Sequence, residues 1–176
     1  MASKIPVGIP GGRVRLISDE DYLPAVRSLI AEADRRVLCS MFIVDLWPWR
    51  DPALTVDTVL LQLQAAAWRG CDVRLLIGGS RSNLQLAELA DAARARALNL
   101  GLACRWLTKH RARGSHAKLM ISDDRVLTGS HNWSFGAFTN QTQDSVAVES
   151  SALAAVLAQH FEAQWQRAEG EAHVSP

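Results

Sequence analysis

The chain has 176 residues, of which 48% are hydrophobic and 21% charged, with a net charge of +1. That length suits one domain around one apolar core, spanning 1–176, and the composition excludes disordered and fibrous classes. A net charge this small gives no global field that would demand nucleic acid or an anionic membrane, so any basic character is local. Cys39, Cys71 and Cys104 lie in or beside apolar runs, odd in number and without metal-ligand spacing. They read as buried free thiols of a reducing cytoplasm rather than disulfides or zinc ligands. MASKIPVGIPGG lacks the apolar stretch of a signal peptide and no segment approaches membrane-spanning length. A soluble, cytoplasmic protein with no transmembrane segment is expected, export by another route being left open.

In chain order, residues 1–11 read as a flexible tail. RVRLIS (13–18) alternates like a strand, and a helix follows with Ser18 as cap and early acids. RVLCSMFIV (36–44) is an uninterrupted apolar run, as expected for a central strand covered on both faces. Thr55 to Gly70 reads as a helix with a Thr cap and a Gly stop, then CDVRLLIGG (71–79) as a second buried strand. Ser82 to Gly101 repeats the helix logic, and LACRWL (102–107) is a fourth strand. The pattern then changes to hairpins: HAKLMIS, a DDR turn, VLTGS, a loop and DSVAVES (144–150), before a last helix from Ser151 to about Ala168 and a frayed tail, 169–176. Alternating strands and helices imply an α/β fold: a mixed, largely parallel sheet flanked by helices, with a late antiparallel portion.

Chemistry concentrates in RGSHAKLMISDDRVLTGSHNWS (113–134). On a strand, residues two apart share a face, so His116 and Lys118 project together while Ala117, Leu119 and Ile121 point to the core. A turn at Asp123 and Asp124 makes facing positions sum to about 247, which sets His116 opposite Ser130–Asn132. An imidazole, an ammonium, a hydroxyl and a carboxamide then converge: a nucleophile beside groups able to hold phosphate oxygens. Seven strand residues at about 3.3 Å each carry Asp123 roughly 20 Å from His116, so it belongs to the turn. Asp144 is the better carboxylate to fix the histidine tautomer.

His116, Lys118 and Asp123 form HxKxxxxD, with Gly129, Ser130 and Asn132 as GSxN after it. This resembles the HKD signature of the phospholipase D superfamily, and Trp133, Asn140 and Asp144 continue the similarity. The gap from Asp123 to Gly129 is one residue shorter than usual for the family, and Asp144 stands where glutamate is common. The resemblance implies an α/β sandwich and places His116, Lys118, Asp123 and Asp144 in the catalytic motif. It further implies double displacement at a phosphodiester: one histidine attacks phosphorus, a second protonates the leaving oxygen, and water reverses the roles. Lysines and asparagines would stabilise the charge, so neither metal nor cofactor is required. Two motif copies are needed and this chain has one, so a homodimer is expected, the twin supplying the second histidine. Similar short single-motif members are metal-independent endonucleases, which favours nucleic acid as substrate over phospholipid, a possible alternative as in the two-motif phospholipases.

The expected substrate-binding residues are Ser130, Asn132, Asn140, Lys109, Arg111 and Arg113. The last three form, with Arg105 and His110, a basic approach without intervening acids. A solvated loop accounts for that cluster equally well, and GGSRSN (78–83), carrying Arg81, reads as a cleft-lining loop or a helix cap. In LWPWR (46–50) the tryptophans stack on bases, enter a lipid interface or pack against a partner. Trp68, Trp106 and Trp165 read as core, and His131 as structural. Three readings stand: a nuclease, a lipid phosphodiesterase or transphosphatidylase, and a non-catalytic nucleic-acid-binding or assembly subunit.

Overall fold

The computed structural model describes residues 12–79, 82–107 and 115–168. β1 (Arg13–Ser18) leads through a 3-10 turn (Asp19–Asp21) into α1 (Tyr22–Ala31). β2 (Arg36–Met41), α2 (Thr55–Trp68), β3 (Asp72–Ile77), α3 (Leu84–Asn99) and β4 (Ala103–Trp106) then alternate. β5 (Lys118–Ser122) and β6 (Arg125–Gly129) form a hairpin, followed by α4 (Phe135–Thr139), β7 (Asp144–Glu149) and α5 (Ser151–Trp165).

All seven strands share one sheet in the order β1-β7-β6-β5-β2-β3-β4. The expected mixed sheet flanked by helices is present, but its balance differs from the sequence reading. Only β2–β3 and β3–β4 are parallel, and the other four pairings are antiparallel. Helical crossovers return β3 and β4 parallel to their predecessors, whereas a two-residue turn reverses β6 on β5, the connection through α4 reverses β7 on β6, and β7 then closes on β1.

The strand pleat divides the apolar residues between two cores. Cys39, Met41, Leu75, Ile77, Met120 and Leu127 face α1, α2 and α3. Leu38, Leu76, Leu119, Ile121, Val126 and Val148 face α5, packing on Phe161 and Trp165. Both faces of β5 are therefore buried, where the sequence reading gave it one chemical face. The strand also begins at Lys118, so His116 lies just before the ladder.

Helix ends follow local chemistry. Gly70 and Gly101 stop α2 and α3 at φ +97° and +73°, as expected of left-handed C-terminal glycines. Ser150 caps α5 at the Leu153 N–H, and Asn83, one residue beyond the expected Ser82, caps α3 at Leu86. Neither Ser18 nor Thr55 caps. Ser18 Oγ donates instead to Asp144, and the buried Asp51 carboxylate takes the Val56 N–H at 2.7 Å as the chain enters α2 through a left-handed Leu54. Trp68 is 78% exposed, contrary to its expected place in the core, because it falls off the Val56–Leu60–Leu63 stripe at the helix end; Trp106 and Trp165 are buried as expected.

All three cysteines are free and buried, and burial raises the Cys39 and Cys104 thiols. His131 is fully buried, stacked on Tyr22 with centroids 4.2 Å apart, its Nδ1 at 2.8 Å from Ser145 Oγ. It is structural, as its sequence position suggested. No helix among the described residues is long and apolar enough to cross a membrane.

Asp123 joins the hairpin to the rest of the sheet. At φ +52° in the two-residue turn, its carboxylate accepts the N–H groups of Asp34, Arg35 and Arg36 at 2.9–3.0 Å. Partial burial pushes its pKa up, but these donors and the Arg35 charge outweigh that and hold it below the ordinary carboxylate range. Asp123→Ala is expected to cost roughly 2–3 kcal/mol in urea denaturation, since it strands three donors. Asp123→Asn, which retains an acceptor and tolerates the left-handed conformation, is expected to cost less than half of that.

Candidate functional site

Because β2 and β3 are parallel, their carboxyl ends open on one edge of the sheet, where crevices of α/β folds form. Met41 and Ile77 end these strands, and the Gly78 N–H donates to the Met41 carbonyl at 2.8 Å. Across that edge runs the segment 115–117. A Cβ on Gly78 would collide with the Ser115 carbonyl, so only glycine lets the segment lie this close. The GGSRSN loop thus abuts the site through its glycine, while Arg81 lies outside the described residues.

Phe42, the first residue past β2, packs against both His116 and Lys118. Its ring centroid lies 4.1 Å from that of His116, and Lys118 Nζ stands 5.0 Å from the Phe42 centroid. Lys118 is buried to 8% exposure, and its ammonium donates to the His116 carbonyl at 3.0 Å. The same ammonium lies 2.9 Å from His116 Nδ1 and 3.4 Å from Nε2. His116 itself remains exposed. Desolvation on its Phe42 side, and then the Lys118 charge, lower its pKa below the ordinary histidine value; burial lowers that of Lys118. An uncharged imidazole with an available lone pair is the form that attacks phosphorus. Phe42 escaped sequence reading because an aromatic ending an apolar run looks like core; its place at the carboxyl end of a central strand was the available signal.

The second half of the motif is pinned between two elements. Gly129 has no room for a Cβ against Ser145, and the hairpin register is Leu119↔Thr128 and Ser122↔Arg125, the expected sum of 247. Past it, the Ser130 N–H and Oγ both donate to the Asp144 carbonyl, and Trp133 bridges Val44. Among the described residues, no hydrogen bond joins Ser130, Asn132 or Asp144 to His116. Ser130 turns to the start of β7, and the Asp144 carboxylate accepts from Ser18 Oγ at 2.9 Å. Of the convergence expected from the pleat, His116 and Lys118 are the hydrogen-bonded pair among the described residues; the β5–β6 ladder ends at Leu119↔Thr128, and Trp133 beyond it bridges Val44.

Among the described residues, Asn132 makes no side-chain hydrogen bond, and its Oδ1 is buried without a partner. Asn140 is exposed, and its N–H closes α4 on the Gly136 carbonyl. Arg105 is spent elsewhere, donating to the Trp165 carbonyl and lying over that indole at 4.6 Å. Lys109, His110, Arg111 and Arg113 lie outside the described residues. Asp123 sits at the far end of β5 from His116, beside an open cleft of about 690 Å³ that holds Arg35, Asp124 and Ser150 but none of the pair.

The family described as "Cardiolipin synthase, PLD-like domain" matches residues 26–165. Among solved structures, the chain is similar to Nuc from Salmonella typhimurium, a phospholipase D family member. The TM-score is 0.74 at 22% identity, over 91% of this chain and 98% of that one. It is similar to NucT from Helicobacter pylori at TM-score 0.68 and 17% identity, over 91% and 99% of the two chains. TrmBL2, an archaeal chromatin protein, aligns at TM-score 0.58 and 15% identity over 96% of this chain and 56% of its own. No curated protein matches the chain. With the family matched across most of the sequence and its histidine–lysine pair at the sheet's carboxyl edge, the chain belongs to the PLD-like domain family of the phospholipase D superfamily, a superfamily of phosphodiesterases.

Proposed function

We propose that the protein is a metal-independent nuclease that cleaves DNA or RNA backbone through a phosphohistidine on His116. The observation that carries this reading is the His116–Lys118 pair, an exposed imidazole held on Phe42 with a buried ammonium against it. A phosphodiester entering the edge draws the ammonium onto a nonbridging oxygen, which frees the imidazole lone pair. His116 then attacks phosphorus, and the leaving oxygen departs with a proton from the second histidine. That histidine next takes a proton from water, whose oxygen displaces His116. Lys118, Ser130 and the Asn132 amide hold the phosphoryl oxygens, Asn140 positions their loop, and Lys109, Arg111 and Arg113 attract the backbone. Asp144 acts on the site from the start of β7, and Asp123 serves the motif through the hairpin rather than the reacting atoms.

The chain holds one HxKxxxxD, so the second histidine comes from a twin across a twofold axis. Near-complete coverage of Nuc and NucT supports the single-motif size class. Val14 and Leu16, each 64% exposed, and Val146 stand on the sheet face that α5 leaves open, an apolar strip suited to such a twin. Buried free thiols fit a cytoplasmic setting. A lipid phosphodiesterase is the second reading, favoured by the cardiolipin synthase description of the family and the exposed Trp49. A non-catalytic nucleic-acid-binding subunit would bind without any wild-type turnover.

Wild type is expected to cleave plasmid, single-stranded DNA or RNA in EDTA, and His116→Ala to lose at least about 1,000-fold while remaining a dimer by light scattering. In co-expressed mixtures with His116→Ala, activity should fall as the square of the wild-type fraction; a linear fall would remove the composite site. Cleavage of phospholipid vesicles with none of nucleic acid would favour the lipid reading.

The lowered His116 pKa has a defined sign: the group loses its proton at lower pH than an ordinary histidine. NMR titration of the free protein should place it below about 6.5, and Lys118→Met should raise it only part of the way, because burial against Phe42 remains.

A further inference from the structure

The segment that seats His116 continues into an aromatic pair that the phosphoryl chemistry leaves unused. Trp47 and Trp49 stack with centroids 5.0 Å apart and planes 28° apart, and the Arg50 guanidinium lies 4.5 Å from the Trp47 ring. Trp49 is 71% exposed. The loop holds this pair rigidly. Asp45, 5% exposed, accepts the Trp47 N–H at 3.1 Å and an Arg50 N–H at 3.2 Å, and its own N–H donates to the Trp133 carbonyl at 2.8 Å. The aromatic pair is thereby tied to the residue next to Asn132.

Between them lies a recess of about 300 Å³ walled by Asp45, Arg50, Asn132, Ser134, Phe135 and Gln141. Asn132, which lines that wall, and Gln141 offer it amide groups. The volume is at the small end for ligand sites, enough for one base with its sugar and too little for a lipid tail.

We propose that the Trp47–Trp49 platform and this recess form a nucleotide subsite for single-stranded nucleic acid beside the scissile phosphate. One base stacks on the open face of Trp49, and the neighbouring nucleotide enters the recess beside Asn132 and Gln141. This rests on the nuclease reading and specifies its substrate. Every unpaired base offers a π-face, so stacking is sequence-tolerant, whereas bases within a duplex are already stacked on one another. A lipid interface is the poorer occupant: Leu46 packs against the core, and Arg50 and the buried Asp51 flank the rings, so no broad apolar band surrounds them.

Steady-state cleavage of a single-stranded oligonucleotide and of methyl p-nitrophenyl phosphate, a phosphodiester without a base, tests this in wild type, Trp49→Ala and Trp49→Phe. Trp49→Ala is expected to raise KM for the oligonucleotide about 5- to 100-fold, the change that loss of one base stack corresponds to, and to leave the small ester unaffected. Trp49→Phe should recover most of the loss. An unchanged KM overturns the proposal, as does a Trp49→Ala chain that falls to monomer or a wild type that docks on phosphatidylcholine vesicles through Trp49. Should wild type cleave neither ester, the nuclease reading fails separately. Oligonucleotide quenching of tryptophan fluorescence in His116→Ala then decides the subsite: quenching lost on adding Trp49→Ala supports it, and no quenching contradicts it.

Discussion

One carboxylate sets the register on which the site depends. By accepting three successive N–H groups at the start of β2, Asp123 fixes the β5–β6 hairpin against that strand, with Ser122 opposite Val37 and Lys118 opposite Met41. Counting on along that register sets Ala117 opposite Phe42 and His116 opposite Ile43, one residue from the Phe42 ring it packs against. A one-residue slip of β5 would turn Lys118 from the Phe42 side to the α5 core and bury its charge against Leu38, Leu76 and Phe161. The aspartate of the motif thus lies at the far end of the strand from the histidine, and its bonds hold the strand pairing rather than the histidine. The shortened spacing from Asp123 to Gly129 is accommodated by a turn of only two residues.

The site is assembled from backbone geometry as much as from charged groups. Gly78 gives the Ser115 carbonyl room to pass, Gly129 does the same for Ser145, and Phe42 provides one low-dielectric wall for an otherwise exposed imidazole. Each position is filled by a residue whose size, rather than polarity, is what matters. The buried ammonium of Lys118 then has one near outlet, toward the histidine and whatever anion reaches it. The result is an accessible imidazole biased toward its uncharged form, with an ammonium already beside it.

Much of this was legible in the sequence, and the exceptions have physical causes. The unbroken apolar runs of β2 and β3 announced a covered sheet, and turn chemistry at Asp123–Asp124 fixed the hairpin register. The antiparallel majority was hidden because β1 pairs with β7, a contact between chain segments about 130 residues apart that periodicity does not reveal. Pleat arithmetic brought Ser130 and Asn132 opposite His116, but the β5–β6 ladder ends at Leu119↔Thr128, so the side chains beyond it answer to β7 and Val44. Trp68 looked like core because large aromatics usually are, whereas its helix has already turned its buried stripe away. Phe42 was missed for the opposite reason, a functional wall that resembles packing.

The central claim is that His116 forms a covalent bond to phosphorus. Rapid quench of one turnover into alkali, where phosphohistidine survives, followed by peptide mass spectrometry, tests it most directly. The account requires the substrate's phosphoryl fragment on the His116 peptide, appearing and decaying at rates compatible with turnover. Turnover that proceeds with no adduct on His116, or with the fragment on another side chain, would contradict it.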